Sequence, residues 1–362
     1  MTYEFKGWAG YDKEAATGGL KYEAFEPKVF EDDDVDVKIL YCGICGSDAS
    51  VLAGEFGPIE AGRIAGHEIV GEVVRVGPKA EGLKLGDVVG IGAQSDSCLA
   101  CEFCTGHKEQ YCATPTFTFG SPYARGASAG QNSKGGFASH WRGPAHFAIP
   151  LPSGLDPAAA APLLCGGVTV YTPLKRWGAG SERKRVGVLG LGGLGHMAVL
   201  IARAMGAEVT AISRGTSKEG DARKLGAGSY IATGADLAQD LAPHARTLDL
   251  VISTINPPKV DVAAYLGLLR PEGAFVTVGA VIEPFSFHSF PLITGGLSVG
   301  GSNTGSPDDI RELLALVAAH PEALPWVQKW DMGQINEAMV EFGKGAPRYR
   351  FVLANTGNGA RL

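Results

Sequence analysis

Short apolar runs broken by glycines fill roughly the first 155 residues of the chain. Three of these runs read "DVDVKILYCGIC", "HEIVGEVVRVG" and "LGDVVGIGA". Valine-rich runs of this length, bounded by glycine turns, are typical of β-strands. The pattern therefore predicts a domain of short, mostly antiparallel strands.

From about Pro157 the apolar runs alternate with helical periodicity. An alanine-rich helix is predicted from Pro157 to Ala161, and a later one, around Asp221 to Leu225, is expected to end at Gly226. "RVGVLGL", "AEVTAISR", "LDLVISTI" and "GAFVTVGAV" are predicted strands, and "GLGHMAVLIARAMG" is a predicted helix. Strands that alternate with amphipathic helices imply βαβ units and a doubly wound parallel sheet, so the fold class is α/β.

The C-terminal part carries a predicted helix, "DDIRELLALVAAH", and a predicted strand, "RYRFVLA". We expect part of this segment to return to the first domain. The predicted organisation is a β domain of residues 1–156 and 301–362 and an α/β domain of residues 157–300. No internal repeat is visible.

The composition fits a folded protein with many tight turns. Hydrophobic residues make up 45% and charged residues 19% of the chain, which permits a sizeable core. Glycine supplies 52 of 362 residues, near twice the usual share of roughly 7%. Without a collagen-like period, this excess indicates turns and close backbone approaches.

Charge and terminal sequences restrict the partners and the compartment. A net charge of −6 and a pI near 5.8 argue against a nucleic acid or an anionic membrane as partner. The N-terminus has no basic segment followed by an apolar core, and the longest apolar run, Ala158–Val170, contains Pro162 and two glycines. We therefore expect a cytoplasmic protein. The last residues, "NTGNGARL", are predicted as a frayed tail, and "ARL" only loosely resembles a peroxisomal tripeptide.

Four of the seven cysteines lie in one loop, "CLACEFCTGHKEQYC". Their spacing is C-x2-C-x2-C-x7-C, and they are Cys98, Cys101, Cys104 and Cys112. Four thiolates from one loop can enclose a tetrahedral zinc ion completely, which predicts a structural zinc site. A redox pair or chance clustering is the alternative interpretation.

A second metal site is predicted from residues far apart in the sequence. Cys45 lies in "CGICGSD", His67 and Glu68 lie in "AGHEIVG", and Cys165 lies in "APLLCGG". Each alone fits a core position, but together they supply two thiolates and an imidazole, the ligands of a catalytic zinc with an open fourth position. Cys165 is expected on the far side of the domain boundary, which would place this site in an interdomain cleft. The seventh cysteine, Cys42, is expected to pack in the core.

The segment "VGVLGLGGLG" has the G-x-G-x-x-G pattern of a dinucleotide-binding turn, and it follows a predicted strand and opens a predicted helix. Gly190 permits the tight turn, Gly192 lets the backbone approach a pyrophosphate, and Gly195 allows close packing of helix and strand. A generic βα turn is the alternative.

The end of the next strand predicts which dinucleotide is bound. NAD enzymes place a carboxylate there, whereas this strand ends at Ser213 and continues with Arg214 and, further on, Lys218. These side chains suit a 2′-phosphate, so NADP(H) is the predicted cofactor. Ordinary solvated surface charges are the alternative reading of Arg214 and Lys218.

The chain resembles the zinc-dependent medium-chain alcohol dehydrogenases, and within them the cinnamyl alcohol dehydrogenase family, over essentially its whole length. The resemblance runs through "CGICGSD", "GHEIVGEV", the four-cysteine loop, "GGFASH", "AAPLLCGGVTVYTPL", "VGVLGLGGLGHMAV", "AMGAEVTAISR", "LGA" and "RYRFVL". The "ISR" ending is similar to the fungal NADPH-preferring branch, which reduces a broad range of aldehydes. The resemblance implies a GroES-like catalytic domain, a Rossmann domain and a homodimer.

The resemblance also implies site residues. It implies a catalytic zinc on Cys45, His67 and Cys165, with Glu68 as an occasional fourth ligand, and a structural zinc on the four-cysteine loop. The implied cofactor contacts are Thr169, Gly190, Leu191, Gly192, Gly193, Leu194, Gly195, Ser213, Arg214, Lys218, Thr254, Gly279, Ser302, Asn303 and Thr304.

The predicted reaction is the reversible reduction of an aldehyde to a primary alcohol. The aldehyde oxygen would take the open position on zinc, and NADPH would supply the hydride. Ser47 would then deliver a proton, and Asp48 would orient His67. Many relatives continue the relay with a histidine at position 50, where this chain has Ser50, so the path beyond Ser47 runs through Ser50, ribose hydroxyls or water.

Other functions stay open on the sequence alone. The same scaffold could reduce an iminium or a conjugated double bond, a polyol dehydrogenase would require NAD, and a catalytically silent binding relative should have lost a ligand. The candidate apolar contributors to the substrate pocket, each of which could equally be core packing, are Phe56, Phe117, Phe119 and Trp141.

Overall fold

The structure, a computed structural model, describes residues 3–362 and divides them into two compact units. The first unit contains the chain up to Cys165, with Gly305–Ala318 and Pro325–Leu362. The second contains Gly166–Thr304 and Ala319–Leu324. Cys165 therefore belongs to the first unit, whereas the sequence prediction placed it beyond the boundary. The expected boundary at residue 157 differs from the observed one because the short helical segments before Cys165 contact the strands of the first unit.

Within the described residues, twelve strands belong to the first unit. They are β1 (Lys6–Gly10), β2 (Lys21–Ala24), β3 (Asp34–Ile44), β4 (Arg63–Ile64), β5 (Ile69–Val76), β6 (Val88–Ile91), β7 (Gln94–Asp96), β8 (Thr116–Phe117), β9 (His140–Pro144), β10 (Ile149–Pro150), β17 (Val327–Asp331) and β18 (Arg350–Ala354). The second unit holds β11 (Arg185–Leu189), β12 (Glu208–Arg214), β13 (Ser229–Thr233), β14 (Leu248–Ser253), β15 (Leu269–Thr277) and β16 (Ser298–Gly301).

The helices are short, and several consist of one turn. The α-helices are α1 (Gly46–Leu52), α2 (Glu102–Thr105), α3 (Pro157–Ala160), α4 (Gly166–Arg176), α5 (Gly193–Ala204), α6 (Glu219–Leu225), α7 (Leu237–Leu241), α8 (Val262–Leu266), α9 (Phe290–Gly295), α10 (Pro307–Ala319) and α11 (Ile335–Gly343). The 3₁₀ turns are Lys13–Thr17, Glu109–Tyr111, Ala145–Phe147, Ala161–Leu164, Ala242–His244, Pro321–Ala323, Met332–Gln334 and Thr356–Asn358.

The main sheet of the first unit is built around β3 and has the order β10-β6-β5-β3-β18-β17, with β9 also paired to β3. Its pairs are antiparallel except β17 with β18, so the prediction of a mostly antiparallel β domain is confirmed. The inward-facing side chains of β3 pack with α1, α11 and β18 in one core. The predicted return of the C-terminal strand is also observed, because β18 lies beside β3.

In the second unit, six strands form one parallel sheet in the order β13-β12-β11-β14-β15-β16. This is the doubly wound arrangement of a dinucleotide-binding domain. The helix before Gly226 ends there with a left-handed glycine (φ +99°), as predicted. β13 and β16 were not predicted from the sequence. β16 gives a weak signal because it is only four residues long and contains two glycines.

The C-terminal tail is not frayed, and that prediction was wrong. The side-chain amide of Asn358 donates to the carbonyl oxygens of Ile39 and Ser139 at 3.0 and 2.7 Å. The backbone N–H of Arg361 donates to the Tyr41 hydroxyl at 2.9 Å. These bonds hold the tail against β3.

Among residues 3–362, every helix is too short or too polar to cross a lipid bilayer.

Candidate active site

Four side chains from three separate parts of the first unit converge on one point. The sulfur atoms of Cys45 and Cys165, a ring nitrogen of His67 and a carboxylate oxygen of Glu68 all lie within 4.8 Å of one another. Nε2 of His67 is 3.2 Å from Sγ of Cys165. These four residues were grouped from the sequence as a catalytic zinc site, and their donor atoms lie close enough together to share one ion.

Sheet topology explains why these residues meet. Cys45 directly follows β3 and forms the N-cap of α1. His67 and Glu68 directly precede β5, which runs antiparallel to β3 with Cys42 opposite Ile69. The end of one strand and the start of its antiparallel neighbour lie side by side. Cys165 stands in the break between the 3₁₀ turn Ala161–Leu164 and α4.

Asp48 fixes the orientation of His67. Its Oδ1 accepts a hydrogen bond from Nδ1 of His67 at 2.9 Å, and it also accepts the backbone N–H of Gly66 at 2.9 Å. Its Oδ2 accepts the backbone N–H of Cys45 at 2.8 Å. With the proton on Nδ1, the lone pair of Nε2 faces the two sulfurs, which is the tautomer that a metal requires.

The electrostatics of the cluster favour one thiolate. The Cys165 thiol donates to Cys45 and, with His67, lowers the pKa of Cys45 well below its usual range, although burial opposes this. The same hydrogen bond, together with burial, raises the pKa of Cys165. Burial favours neutral His67, but the Asp48 carboxylate outweighs it and raises the pKa of the imidazole. Metal ligation requires deprotonated thiols, so an ion there would displace these protons.

Glu68 is fully buried beside the cluster and forms an ion pair with Arg350 of β18. Burial raises the pKa of Glu68 to about 7, and the guanidinium of Arg350 opposes this rise. Glu68 was predicted from the sequence as a site residue, whereas Arg350 was not. An arginine at the start of an apolar strand gives no signal from spacing, because its partner lies 282 positions earlier in the chain.

The four cysteines of the loop at residues 98–112 form a second cluster. Their sulfurs lie within 4.8 Å of one another, with separations of 3.5 Å for Cys101–Cys104 and Cys98–Cys112 and 3.9 Å for Cys98–Cys104. A tetrahedron with zinc–sulfur bonds of about 2.3 Å has edges of about 3.8 Å, so these separations fit zinc. They exceed a disulfide bond of about 2.05 Å.

Backbone donors stabilise the thiolates of this loop. The N–H of Cys101 points to Sγ of Cys98 at 3.3 Å, and the N–H of Thr114 points to Sγ of Cys112 at 3.4 Å. Backbone N–H groups of Ala100 and Cys101 lower the pKa of Cys98. The arrangement is closed, with a sulfur at each corner, and offers no position for a substrate.

The glycine-rich turn lies in the second unit between β11 and α5, as the sequence analysis expected. Gly190 has a φ of +92°, and a Cβ on Gly195 would lie 1.9 Å from the carbonyl oxygen of Gly190. A Cβ on Gly192 would meet no atom within 4 Å, so that position faces open space where a ligand can approach. The hydroxyl of Thr254 donates to the carbonyl oxygens of Leu189 and Gly190 and fastens the turn to β14.

Other predicted cofactor residues lie at or just beyond the carboxyl ends of strands of the parallel sheet. Ser213 and Arg214 end β12, Gly279 follows β15, and Ser302, Asn303 and Thr304 follow β16. Carboxyl ends of parallel strands form one edge, where such folds bind ligands. Lys218 precedes α6, and its Nζ donates to the carbonyl oxygen of Leu191 at 2.7 Å. Thr169 lies instead within α4.

The candidate pocket residues do not share one environment. Trp141 is 2% exposed and belongs to the core of the first unit, as does Cys42. Phe119 packs against His67, with ring centroids 5.3 Å apart. Phe56 and Phe117 are exposed. Among these four aromatic residues, Phe119 therefore has the contact that a pocket residue requires.

Comparison with known proteins agrees with both units. The profile of the alcohol dehydrogenase GroES-like domain matches residues 31–153, and that of the zinc-binding dehydrogenases matches residues 193–319. The NADP-dependent alcohol dehydrogenase 6 of Saccharomyces cerevisiae is 39% identical over 337 residues, which cover 92% of each chain. A probable mannitol dehydrogenase of Medicago sativa is 38% identical over 348 residues, 96% of this chain and 94% of the relative.

A solved cinnamyl alcohol dehydrogenase of Sorghum bicolor has the same fold, with a TM-score of 0.90 and 36% identity over 99% of both chains. The fold and the two clusters of potential metal ligands are those of a two-domain α/β oxidoreductase. The chain belongs to the zinc-dependent medium-chain alcohol dehydrogenases of the cinnamyl alcohol dehydrogenase type.

Proposed function

We propose that this protein reduces aldehydes, aromatic or cinnamyl as well as aliphatic, reversibly to primary alcohols with zinc and NADPH. The observation that carries the proposal is the convergence of Cys45, His67 and Cys165 on one point, with Asp48 behind the histidine. Three ligands with a free position are the arrangement of a catalytic rather than a structural zinc.

The chain would hold two zinc ions, a catalytic one on Cys45, His67 and Cys165 with Glu68 as an occasional further ligand, and a structural one on the four-cysteine loop. Once bound, the catalytic zinc supplies a Lewis acid for the carbonyl oxygen and NADPH supplies the hydride. Asp48 keeps His67 in one tautomer and anchors the backbone of Cys45. These contacts position the ligands before substrate arrives.

Proton delivery falls to Ser47. Its hydroxyl is 3.9 Å from Sγ of Cys45, and the residue is exposed, so it can pass a proton between solvent and the substrate oxygen. Ser50 in the same helix, ribose hydroxyls or water would continue the path. A Ser47→Ala enzyme with an unchanged rate would remove this step from the mechanism.

The choice of NADPH rests on the end of β12. Ser213 and exposed Arg214 stand where NAD enzymes carry a carboxylate, and Lys218 follows. A guanidinium there can form charge-assisted hydrogen bonds with a 2′-phosphate. We expect Arg214→Ala to raise the KM for NADPH at least tenfold, which corresponds to about 1.4 kcal/mol, and to leave the KM for NADH within about twofold.

One set of assays tests the function. Purified protein is expected to contain two zinc ions per chain and to reduce cinnamaldehyde, benzaldehyde and aliphatic aldehydes with NADPH. Cys45→Ala is expected to lose turnover and one zinc, while the control Cys42→Ala, a buried core cysteine, keeps both. Equal use of NADH would refute the cofactor assignment. Oxidation of mannitol with no aldehyde reduction would instead favour a polyol dehydrogenase.

We also propose a homodimer. Ile282, Phe290 and Ile293 expose large apolar side chains just before β16, and β16 is the last strand of the sheet in the described residues. An unpaired edge beside exposed apolar side chains suits a second copy of the chain. Light scattering is expected to give twice the mass of one chain, and Ile282→Lys with Ile293→Lys is expected to give a monomer.

A further inference from the structure

Arg350 is a buried cation next to the candidate metal centre. The residue is 5% exposed, and its guanidinium pairs with Oε1 of Glu68, which is 0% exposed. A charge with so little water around it is stable only when it is paired. In the described residues, Oε2 of Glu68 and Nε of Arg350 have no hydrogen-bond partner, so the pair uses one atom of each group.

Two features of the neighbouring strands β18 and β3 set the position of the Glu68 carboxylate. Arg350 begins β18, which pairs with β3 so that Phe351 lies opposite Ile44, immediately before Cys45. Gly43 of β3 also lies close to the carboxylate, because a Cβ there would be only 2.0 Å from Oε2 of Glu68. The position of the carboxylate is therefore set by one ion pair and by one missing side chain, on two neighbouring strands.

The charges around the candidate metal site indicate a role for the Arg350–Glu68 ion pair. Two thiolates neutralise a divalent ion, and a carboxylate within 4.8 Å of them adds a further negative charge. Arg350 balances that charge through its ion pair with Glu68. Without the guanidinium, the unpaired buried carboxylate would find its best partner in the metal.

We propose that Arg350 is a positioning residue, which holds Glu68 off the metal and thereby keeps the fourth coordination position open for substrate. The inference rests on the proposed zinc site. It assigns Arg350 no contact with substrate and predicts that its loss converts Glu68 into a permanent ligand.

The test uses the full-length protein with cobalt(II) in place of zinc, because cobalt absorption reports the ligands and the geometry around the metal. Imidazole serves as the probe of the open position, titrated by the spectral change that it causes. The variants are Arg350→Met, Arg350→Lys, Glu68→Gln and the double variant Arg350→Met/Glu68→Gln. In Arg350→Met we expect a changed visible spectrum before imidazole is added, because Glu68 replaces the exchangeable ligand, and an imidazole Kd raised at least tenfold, which is about 1.4 kcal/mol.

The double variant separates positioning from general damage. If Glu68 occupies the position, Arg350→Met/Glu68→Gln restores the imidazole Kd to within about twofold of Glu68→Gln, a strong coupling in the double-mutant cycle. A soluble Arg350→Met protein with an unchanged spectrum and Kd overturns the inference, and so does a double variant as impaired as the single one. If Arg350→Met does not fold, Arg350→Lys decides: a raised Kd that Glu68→Gln reverses supports the inference, and an unchanged Kd overturns it.

The same preparation distinguishes the two proposals. Fewer than two cobalt ions per chain, with no imidazole response in the parent protein, would contradict the proposed function itself. Two ions and a normal response in the parent, with unaltered Arg350 variants, would contradict only the role of Arg350.

Discussion

Asp48 links the two chain segments that carry the ligands Cys45 and His67. It is 0% exposed and accepts three hydrogen bonds, from the His67 ring and from the backbones of Gly66 and Cys45. Those donors belong to two separate segments, which follow β3 and precede β5. A single carboxylate thus fixes both segments at the distance that the ligand set needs, before any ion is bound.

We predict that Asp48→Asn lowers zinc affinity about 10- to 100-fold, the usual effect of altering a group that orients a metal ligand. The amide nitrogen cannot accept a hydrogen bond, so one of the three N–H donors faces another donor. Competition with a chelator at constant pH measures the loss of the first zinc. The control is Asp32→Asn, an exposed residue of the same unit. Equal zinc retention in both variants would contradict the orienting role.

Residue type and spacing explain which site residues could be predicted. The four-cysteine cluster and the glycine-rich turn could be predicted because all the residues of each site lie in one short segment of the sequence. Arg350 could not be predicted in this way. Its contact with Glu68 depends on the register of β18 against β3, and no local sequence pattern encodes that register. Phe56 and Phe119 show the same limit, since two aromatic residues with similar neighbours end in different environments.

At the level of elements, the turn between β11 and α5 shows two different uses of glycine. Gly195 is required by packing, because a Cβ there would lie 1.9 Å from the carbonyl oxygen of Gly190. Gly192 has open space in front of it and an ordinary extended φ of −120°, so the fold itself does not require glycine there. The helix N-terminus behind it offers free N–H groups to an anion.

We predict opposite outcomes for two substitutions in this turn. Gly195→Ala is expected to lower the free energy of unfolding by about 1–3 kcal/mol, because the new methyl group overpacks the turn. Gly192→Ala is expected to leave stability within about 0.5 kcal/mol and to weaken NADPH binding, since the methyl group occupies the space a pyrophosphate would use. Denaturant unfolding and nucleotide fluorescence measure the two effects. Unchanged NADPH affinity in Gly192→Ala would show that the cofactor does not approach this position.

At the scale of the whole molecule, the two units differ in how the chain builds them. The second unit is nearly continuous, from Gly166 to Thr304, and has a core of its own around Phe275 and Ile212. The first unit is discontinuous and needs the end of the chain, because β18 lies between β3 and β17. The hydrophobic pattern predicted this return of the chain, whereas the observed boundary after Cys165 depends on contacts of α3 with β3, β5 and β18.

This difference leads to a prediction about fragments. A fragment of residues 166–324 contains the whole second unit, so it is expected to fold cooperatively and to bind NADPH. A fragment of residues 1–324 lacks β17, β18 and α11, and therefore lacks the core side chains Met332, Ile335, Met339, Phe351 and Leu353. The part of β3 that pairs with β18 is then exposed, so limited proteolysis is expected to degrade residues 1–165 and to leave a core that binds NADPH. A protected first unit that still binds zinc through Cys45, His67 and Cys165 would show that the returning strand is dispensable, and would also remove Arg350 from any role in forming that site.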